Sequence, residues 1–207
     1  YQTNFDVEIK ADRSPVTIAD KTSSQIILRI LKETKIPIIS EEETIPPFKQ
    51  RSQLDWIWIV DPLDGTKEFI RQNDEFCVCI ALIYQSQPVF GILADPVKKM
   101  ILAGGESMGA FYFPFGEYGM GHSQFQLKNI KSNKTKIIAH SRSHFSEKTK
   151  VFIESIEKDY GEVDFIKKGS ALKFVDLCLG KADFYPRMAP TMEWDIAAGD
   201  AIYRSIG

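Results

Sequence analysis

The run Trp56-Ile57-Trp58-Ile59-Val60 passes without a break into Asp61-Pro62-Leu63-Asp64-Gly65-Thr66, and this junction limits what the chain can become. An unbroken apolar run ending in a Pro- and Gly-bearing turn describes a buried strand. That strand delivers two carboxylates, Asp61 and Asp64, into the turn at its end. A short helical segment is predicted next, over residues 66–69. Carboxylate oxygens are the ligands Mg²⁺ prefers, one or two of them together with substrate phosphate. The N–H groups of Gly65 and Thr66, at the start of a helical turn, form a cradle for an anion. The junction therefore points to metal-assisted phosphate chemistry. The same residues also have an ordinary reading, with Asp, Pro and Gly as turn formers and Asp64 as a helix cap.

The chain has 207 residues, 43% hydrophobic and 26% charged, which allows one large or two small globular domains. A net charge of −2 gives no basic footprint for a nucleic-acid polymer. No apolar run approaches the ~20 residues of a membrane span, and no signal peptide is visible, so stable membrane insertion is not expected. The first residue is Tyr1, so the true N-terminus can lie upstream. Cys77 and Cys79 stand two apart in a strand-like run and should share a face; Cys178 lies in an apolar helical stretch. All three read as small buried hydrophobes in a reducing, cytoplasmic setting, with peripheral membrane association left open.

Along the chain, a helix is predicted over residues 22–35 and a strand over 36–39. A polar, proline-bearing loop follows over 44–53. Strand-like runs at 76–84, 88–94, 99–104 and 109–115 suggest an antiparallel meander. Residues 115–132, rich in Gly and polar groups, form a candidate seam. Beyond it strands at 136–139, 163–166 and 182–185 alternate with helices at 146–158, 171–179 and 195–205. The expected architecture is layered α+β and α/β. Residues 1–130 would form a metal- and phosphate-binding α+β half with an antiparallel sheet. Residues 131–207 would form a mixed α/β half.

Acidic residues recur at element junctions, where function concentrates. Asp20 ends Pro15-Val16-Thr17-Ile18-Ala19 just before a helix, Glu41 follows the strand at 36–39, and Asp195 begins the last helix. Each has a plain alternative: Asp20 and Asp195 as caps, Glu41-Glu42-Glu43 as a solvated run, with Glu43 the clearest case.

Taken together, Glu41-Glu42, Asp61-Pro62-Leu63-Asp64-Gly65-Thr66 and Trp194-Asp195-Ile196-Ala197-Ala198-Gly199 resemble the signature set of the inositol monophosphatase / fructose-1,6-bisphosphatase superfamily. The resemblance covers nearly the whole chain and implies alternating α-β-α-β-α layers. Lys67-Glu68 after the central motif, Ser141-Arg142-Ser143-His144, Gly169-Ser170-Ala171-Leu172-Lys173-Phe174 and Tyr185-Pro186-Arg187 are similar to CysQ-type 3′(2′),5′-bisphosphate nucleotidases. The family's members usually run longer; by the same resemblance most of a first helix would precede Tyr1, and closing strands and a helix would follow Gly207.

The resemblance implies an Mg²⁺-dependent hydrolase of adenosine 3′,5′-bisphosphate, and of 3′-phosphoadenylyl sulfate, serving sulfur assimilation. Two or three ions would be held. Glu41, Asp61 and the carbonyl of Leu63 match ligands of one, and Asp61, Asp64 and Asp195 match ligands of a second. Asp20 and Thr66 match the pair that orients attacking water. Gly65 and Thr66 would seat the phosphate, while His144, Ser170, Lys173 and Arg187 fall where nucleotidases hold the nucleotide. Without the resemblance, Lys173 reads equally as a snorkelling helix lysine, and His144 as a loop or cap residue. The partner is then a small-molecule nucleotide bisphosphate, and the oligomeric state is undetermined. The rivals are an inositol monophosphatase or fructose bisphosphatase of the same superfamily, a haloacid-dehalogenase-type phosphatase whose aspartates stand closer together, and a metal-binding regulatory module without turnover.

Overall fold

The computed structural model describes residues 7–10, 14–114, 125–128, 130, 132–142 and 146–206. A short antiparallel ribbon comes first, β1 (Val7–Ile9) paired with β2 (Pro15–Thr17). It leads straight into α1 (Ile18–Leu31). Thr17, still extended, caps that helix: its Oγ1 accepts the Ala19 N–H at 3.2 Å, and Asp20 answers by accepting the Thr17 N–H at 2.8 Å. This reciprocal cap starts the helix ahead of the predicted residue 22. It also puts Asp20 inside the first turn rather than before it. The helix closes through a 3₁₀ turn, Lys32–Thr34, with Lys35 left-handed at φ 59°.

Next come β3 (Ile38–Ser40), α2 (Phe48–Arg51), β4 (Trp56–Asp64) and α3 (Thr66–Ile70). The turn of helix at α2 lies within the segment expected to be loop, with Pro47 immediately before it. The meander follows: β5 (Cys77–Tyr84), β6 (Gln87–Asp95), β7 (Met100–Gly105), β8 (Gly109–Pro114) and β9 (Phe125–Leu127). Together β3 to β9 make a seven-stranded sheet in chain order, parallel between β3 and β4 and antiparallel thereafter. β9 falls in the expected seam, whose residues 115–124 lie outside those described. β4 outruns its predicted end because its ladder with β5 continues through Asp61 opposite Cys79 and, past an irregularity, Asp64 opposite Cys77.

The remainder holds β10 (Lys136–Ser141), α4 (Glu147–Tyr160), β11 (Val163–Lys168), α5 (Leu172–Cys178) and α6 (Ala197–Arg204). β10 and β11 pair in parallel. The strand expected at 182–185 reduces to a single bridge, Ile138 to Phe184. Backbone bonds remain there, Ala139 N–H to the Phe184 carbonyl and Asp183 N–H to the Ile137 carbonyl, both at 2.8 Å, while the Asp183 carboxylate takes the N–H groups of Ile137 and Asn133 at 2.8 and 2.9 Å. Asp195 closes a 3₁₀ turn, Glu193–Asp195, instead of opening the last helix.

Five layers result: α1 on β4, the large sheet, α5 and α6 on its other face, the β10–β11 pair against α5, and α4 outermost. Ile57, Ile59, Cys77, Cys79 and Ala81 of the sheet share one buried cluster with Leu172, Val175, Ala198 and Ile202 of the helices. The closest approach is at Gly91, where an added Cβ would lie 2.1 Å from the carbonyl oxygen of Ala198. Because the neighbour is helix backbone, Gly91→Ala should overpack this joint and cost about 1–3 kcal/mol. Denaturant unfolding would read the loss, and an unchanged midpoint would refute this account of how α6 docks.

Candidate active site

Side chains alternate along a strand, so Ile57, Ile59 and Asp61 point to one face of β4. The apolar face that builds the core thus also carries a carboxylate into it. Asp61 is 2% exposed, and its Oδ1 accepts the Leu63 N–H at 3.0 Å. Asp64 reaches the same space after the irregularity in β4, accepting the Ala171 N–H at 2.5 Å. Asp195 arrives from the turn before α6, where its Oδ2 takes the Thr191 hydroxyl at 2.5 Å and the Met192 N–H at 3.3 Å. One oxygen from each of Asp61, Asp64 and Asp195 lies within 4.8 Å of the others.

The electrostatics of this triad fit a hard cation. Burial pushes the Asp61 carboxyl well above its ordinary value, and repulsion from Asp64, Glu41 and Asp195 adds to it. Burial, then Asp195, lifts Asp64 to about 7. Carboxylates crowded in a dry site resist ionising together unless positive charge is supplied. A divalent ion with oxygen preference supplies it.

Glu41 stands outside that triad but lines the same cavity. Its N–H reaches the Val60 carbonyl at 3.1 Å, and its carboxylate accepts from Lys10 Nζ at 3.1 Å. The same ammonium donates to Glu42 at 2.6 Å. Glu43 is exposed, as expected of one member of the run. Lys10 carries no motif and was not legible as a site residue.

Thr66 Oγ1 donates to Asp20 Oδ1 at 2.9 Å and lies 3.3 Å from the Leu63 carbonyl. The other Asp20 oxygen accepts the N–H and hydroxyl of Thr17 at 2.8 and 2.5 Å. Asp20, 1% exposed, is therefore fixed as an acceptor. Gly65 is left-handed at φ 97°, and an added Cβ would stand 2.9 Å from the Glu75 carbonyl oxygen. No other residue would fit this turn without strain.

The far wall is the loop before α5. Glu75 accepts the Gly169 N–H at 2.7 Å and a two-pronged grip from Arg142 at 3.1 and 2.6 Å. Burial opposes ionisation of Glu75, yet these donors hold its pKa below the usual value. Ser170, at φ 49°, sits against Gly65. Lys173 does not snorkel. It is 2% exposed, donates to the carbonyls of Lys168 and Ser170 at 3.1 and 2.5 Å, and lies 5.2 Å over the Tyr185 ring. Burial draws its pKa down, against the pull of Asp64. Arg187 donates to Thr191 Oγ1 at 2.8 Å and comes within 3.5 Å of Asp195 Oδ2, so its charge already serves the carboxylates. His144 lies outside the described residues. The cavity, open to solvent on one side, is about 440 Å³ and is lined by Glu41, Asp61, Asp64, Thr66, Lys173 and Arg187 among others. Tyr185, Trp194 and the exposed Lys67 also line it; all three belong to the signature motifs, and none is assigned a role by them.

The model of the inositol monophosphatase family matches residues 1–207. The chain belongs to this family. It is 38% identical over 200 residues to the 3′(2′),5′-bisphosphate nucleotidase CysQ of Salmonella typhimurium, covering 96% of this chain and 76% of that protein. The crystal structure of CysQ from Bacteroides thetaiotaomicron superposes with a TM-score of 0.85 at 42% identity, covering 96% of this chain and 76% of that one. An inositol monophosphatase/NADP phosphatase solved with Mg²⁺ and phosphate shares the fold, at TM-score 0.76 and 20% identity over 98% of this chain and 72% of that one. Like its family, the chain is a phosphatase of small-molecule phosphates that depends on a divalent metal. Among the described residues no helix is long and apolar enough to cross a membrane.

A pH dependence follows from the triad. Asp61 and Asp64 are acids whose folded pKa values are raised, so folding favours their neutral forms. That stabilisation is complete below the ordinary carboxylate range and is lost as pH rises through about 7 for Asp64. In chelator, Tm should fall as pH is raised from about 5 to 8, and saturating Mg²⁺ should flatten or reverse the fall. Identical pH profiles with and without metal would rule out the triad as the ion site.

Proposed function

We propose that this chain is a Mg²⁺-dependent 3′(2′),5′-bisphosphate nucleotidase that hydrolyses the 3′-phosphate of adenosine 3′,5′-bisphosphate in the cytoplasm, in sulfur assimilation. The observation that carries the chemistry is the Thr66–Asp20 hydrogen bond, 2.9 Å long, beside the Asp61, Asp64 and Asp195 cluster. The nucleotide specificity rests on the relatives named CysQ and on the cavity, whose wall carries Lys67, Lys173 and Arg187 together with the carboxylates.

Asp61, Asp64 and Asp195 would hold one ion; Glu41, Asp61 and the Leu63 carbonyl would hold another. When bound, such ions neutralise phosphate charge and acidify coordinated water. The chain's own residues do the rest. Asp20 takes the Thr66 hydroxyl hydrogen at Oδ1, which leaves the lone pairs of Thr66 Oγ1 free to accept from a water. A proton leaving that water can pass through Thr66 Oγ1 to Asp20 as the oxygen attacks phosphorus. Gly65 and Thr66, whose N–H groups open a helical turn, receive the phosphate. Asp61 and Asp64 are ligands, so the nucleophile is water rather than a carboxylate.

Thr66→Ala should then lower kcat by about 100-fold or more with little change in KM. Loss confined to KM would remove Thr66 from the reacting centre.

Phosphate release from adenosine 3′,5′-bisphosphate, inositol 1-phosphate and fructose 1,6-bisphosphate, side by side with Mg²⁺, tests the substrate. The nucleotide should be preferred; preference for inositol 1-phosphate would overturn the nucleotidase reading and leave the phosphatase. Lys67→Ala should cost the bisphosphate on the order of tenfold in kcat/KM and spare inositol 1-phosphate. Arg187→Ala should damage both substrates, because Arg187 also steadies Thr191 and Asp195. Equal effects of Lys67→Ala on both substrates would take Lys67 out of recognition.

A further inference from the structure

Directly behind Asp64 the ligand chemistry changes from oxygen to sulfur. Cys77 and Cys79 are alternate residues of β5 and point to the same face, with their Sγ atoms 3.9 Å apart. Cys77 Sγ lies 4.0 Å from Asp64 Oδ2 and 3.7 Å from Ser170 Oγ. The two sulfurs and one Asp64 oxygen all fall within 4.8 Å of one another.

That spacing has a chemical meaning. Two thiolates bound at ~2.3 Å to one tetrahedral ion stand about 3.8 Å apart. The pair is thus set for a shared ion without moving the strand. Mg²⁺ does not choose such ligands, whereas Zn²⁺ and softer ions do. Both thiols are buried, but Asp64 and Ser170 line the cavity and touch Cys77. An ion that enters the cavity meets Asp64 first and the sulfurs next.

We propose that Cys77, Cys79 and Asp64, with Ser170 Oγ in the fourth position, form a site for a thiophilic divalent cation, and that filling it stops the enzyme. Binding exchanges two thiol protons, released to solvent, for one cation held by two thiolates and a carboxylate. No electron is transferred and no co-reactant is needed. Inhibition follows from shared use of Asp64: a carboxylate drawn toward the sulfurs is lost to the oxygen triad. The binding half stands apart from the nucleotidase reading; the inhibitory half rests on it.

The test is a Cd²⁺ titration of the full chain in saturating Mg²⁺, following the ultraviolet cadmium–thiolate band and proton release, with Zn²⁺ inhibition of phosphate release in parallel. A single cadmium ion should bind with the thiolate band and two protons displaced, and because both ions draw on Asp64, raising Mg²⁺ should shift zinc inhibition to higher zinc. The double variant Cys77→Ala/Cys79→Ala should keep its basal phosphate release, lose the band and need at least about tenfold more zinc for inhibition. Cys178→Ala should behave as the parent. If the double variant folds poorly, Cys79→Ser removes one sulfur at similar volume and should weaken cadmium binding about tenfold. No band in the parent, or a band that survives in the double variant, would overturn the site. A band without inhibition would overturn the coupling through Asp64. The band is read without turnover, so a chain inactive on every substrate would sink the nucleotidase reading and leave this test intact.

Discussion

Carboxylates buried against one another at the end of a core strand are the constraint around which this structure is organised. The same face of β4 carries Ile57 and Ile59 into the core and Asp61 into the site. The ladder runs regularly from one environment into the other, and the irregularity comes only beyond Asp61, before Asp64. That placement gives the carboxylates a rigid support, and it takes Asp61 almost wholly out of water. The surrounding donors compensate in part: Leu63 N–H on Asp61, Ala171 N–H on Asp64, Thr191 on Asp195. The remainder of the charge is left for a cation.

Two kinds of buried acid can be told apart. Asp20 has both oxygens occupied, by Thr17 and Thr66, and its network is closed. The triad is open, with lone pairs facing one another across a cavity. The closed acid suits a group that must hold one geometry while a proton moves, and the open ones suit ligands. Nearby cations follow the same logic. Lys10 spans Glu41 and Glu42, and Arg187 reaches Asp195. Both pairs place positive charge beside the acids that would bind metal.

Much of this was legible in the sequence because the site is local. Strand, turn and helix from Trp56 to Ile70 follow one another, and periodicity with turn chemistry suffices to place Asp61, Asp64, Gly65 and Thr66. The helix start was misplaced because the cap at Thr17 lies in a β-branched run that reads as strand. The strand at 182–185 shrinks to one bridge beside β10, where the Asp183 carboxylate also takes the Ile137 N–H, a side-chain bond that hydrophobic patterning does not report. Lys10 and the burial of Lys173 depend on tertiary approach alone. The helical spacing of Lys173 gives no sign that its ammonium turns inward to carbonyls and a tyrosine ring.

Asp195 comes from the far end of the described chain, whereas Asp61 and Asp64 emerge early. They converge only once the sheet has formed and α6 has settled on Gly91. A cation held by all three therefore behaves as a clasp fastened last. It recognises only the finished fold, so it cannot guide the chain through its early folding. Binding only that arrangement, such an ion would raise the free energy of global unfolding by mass action.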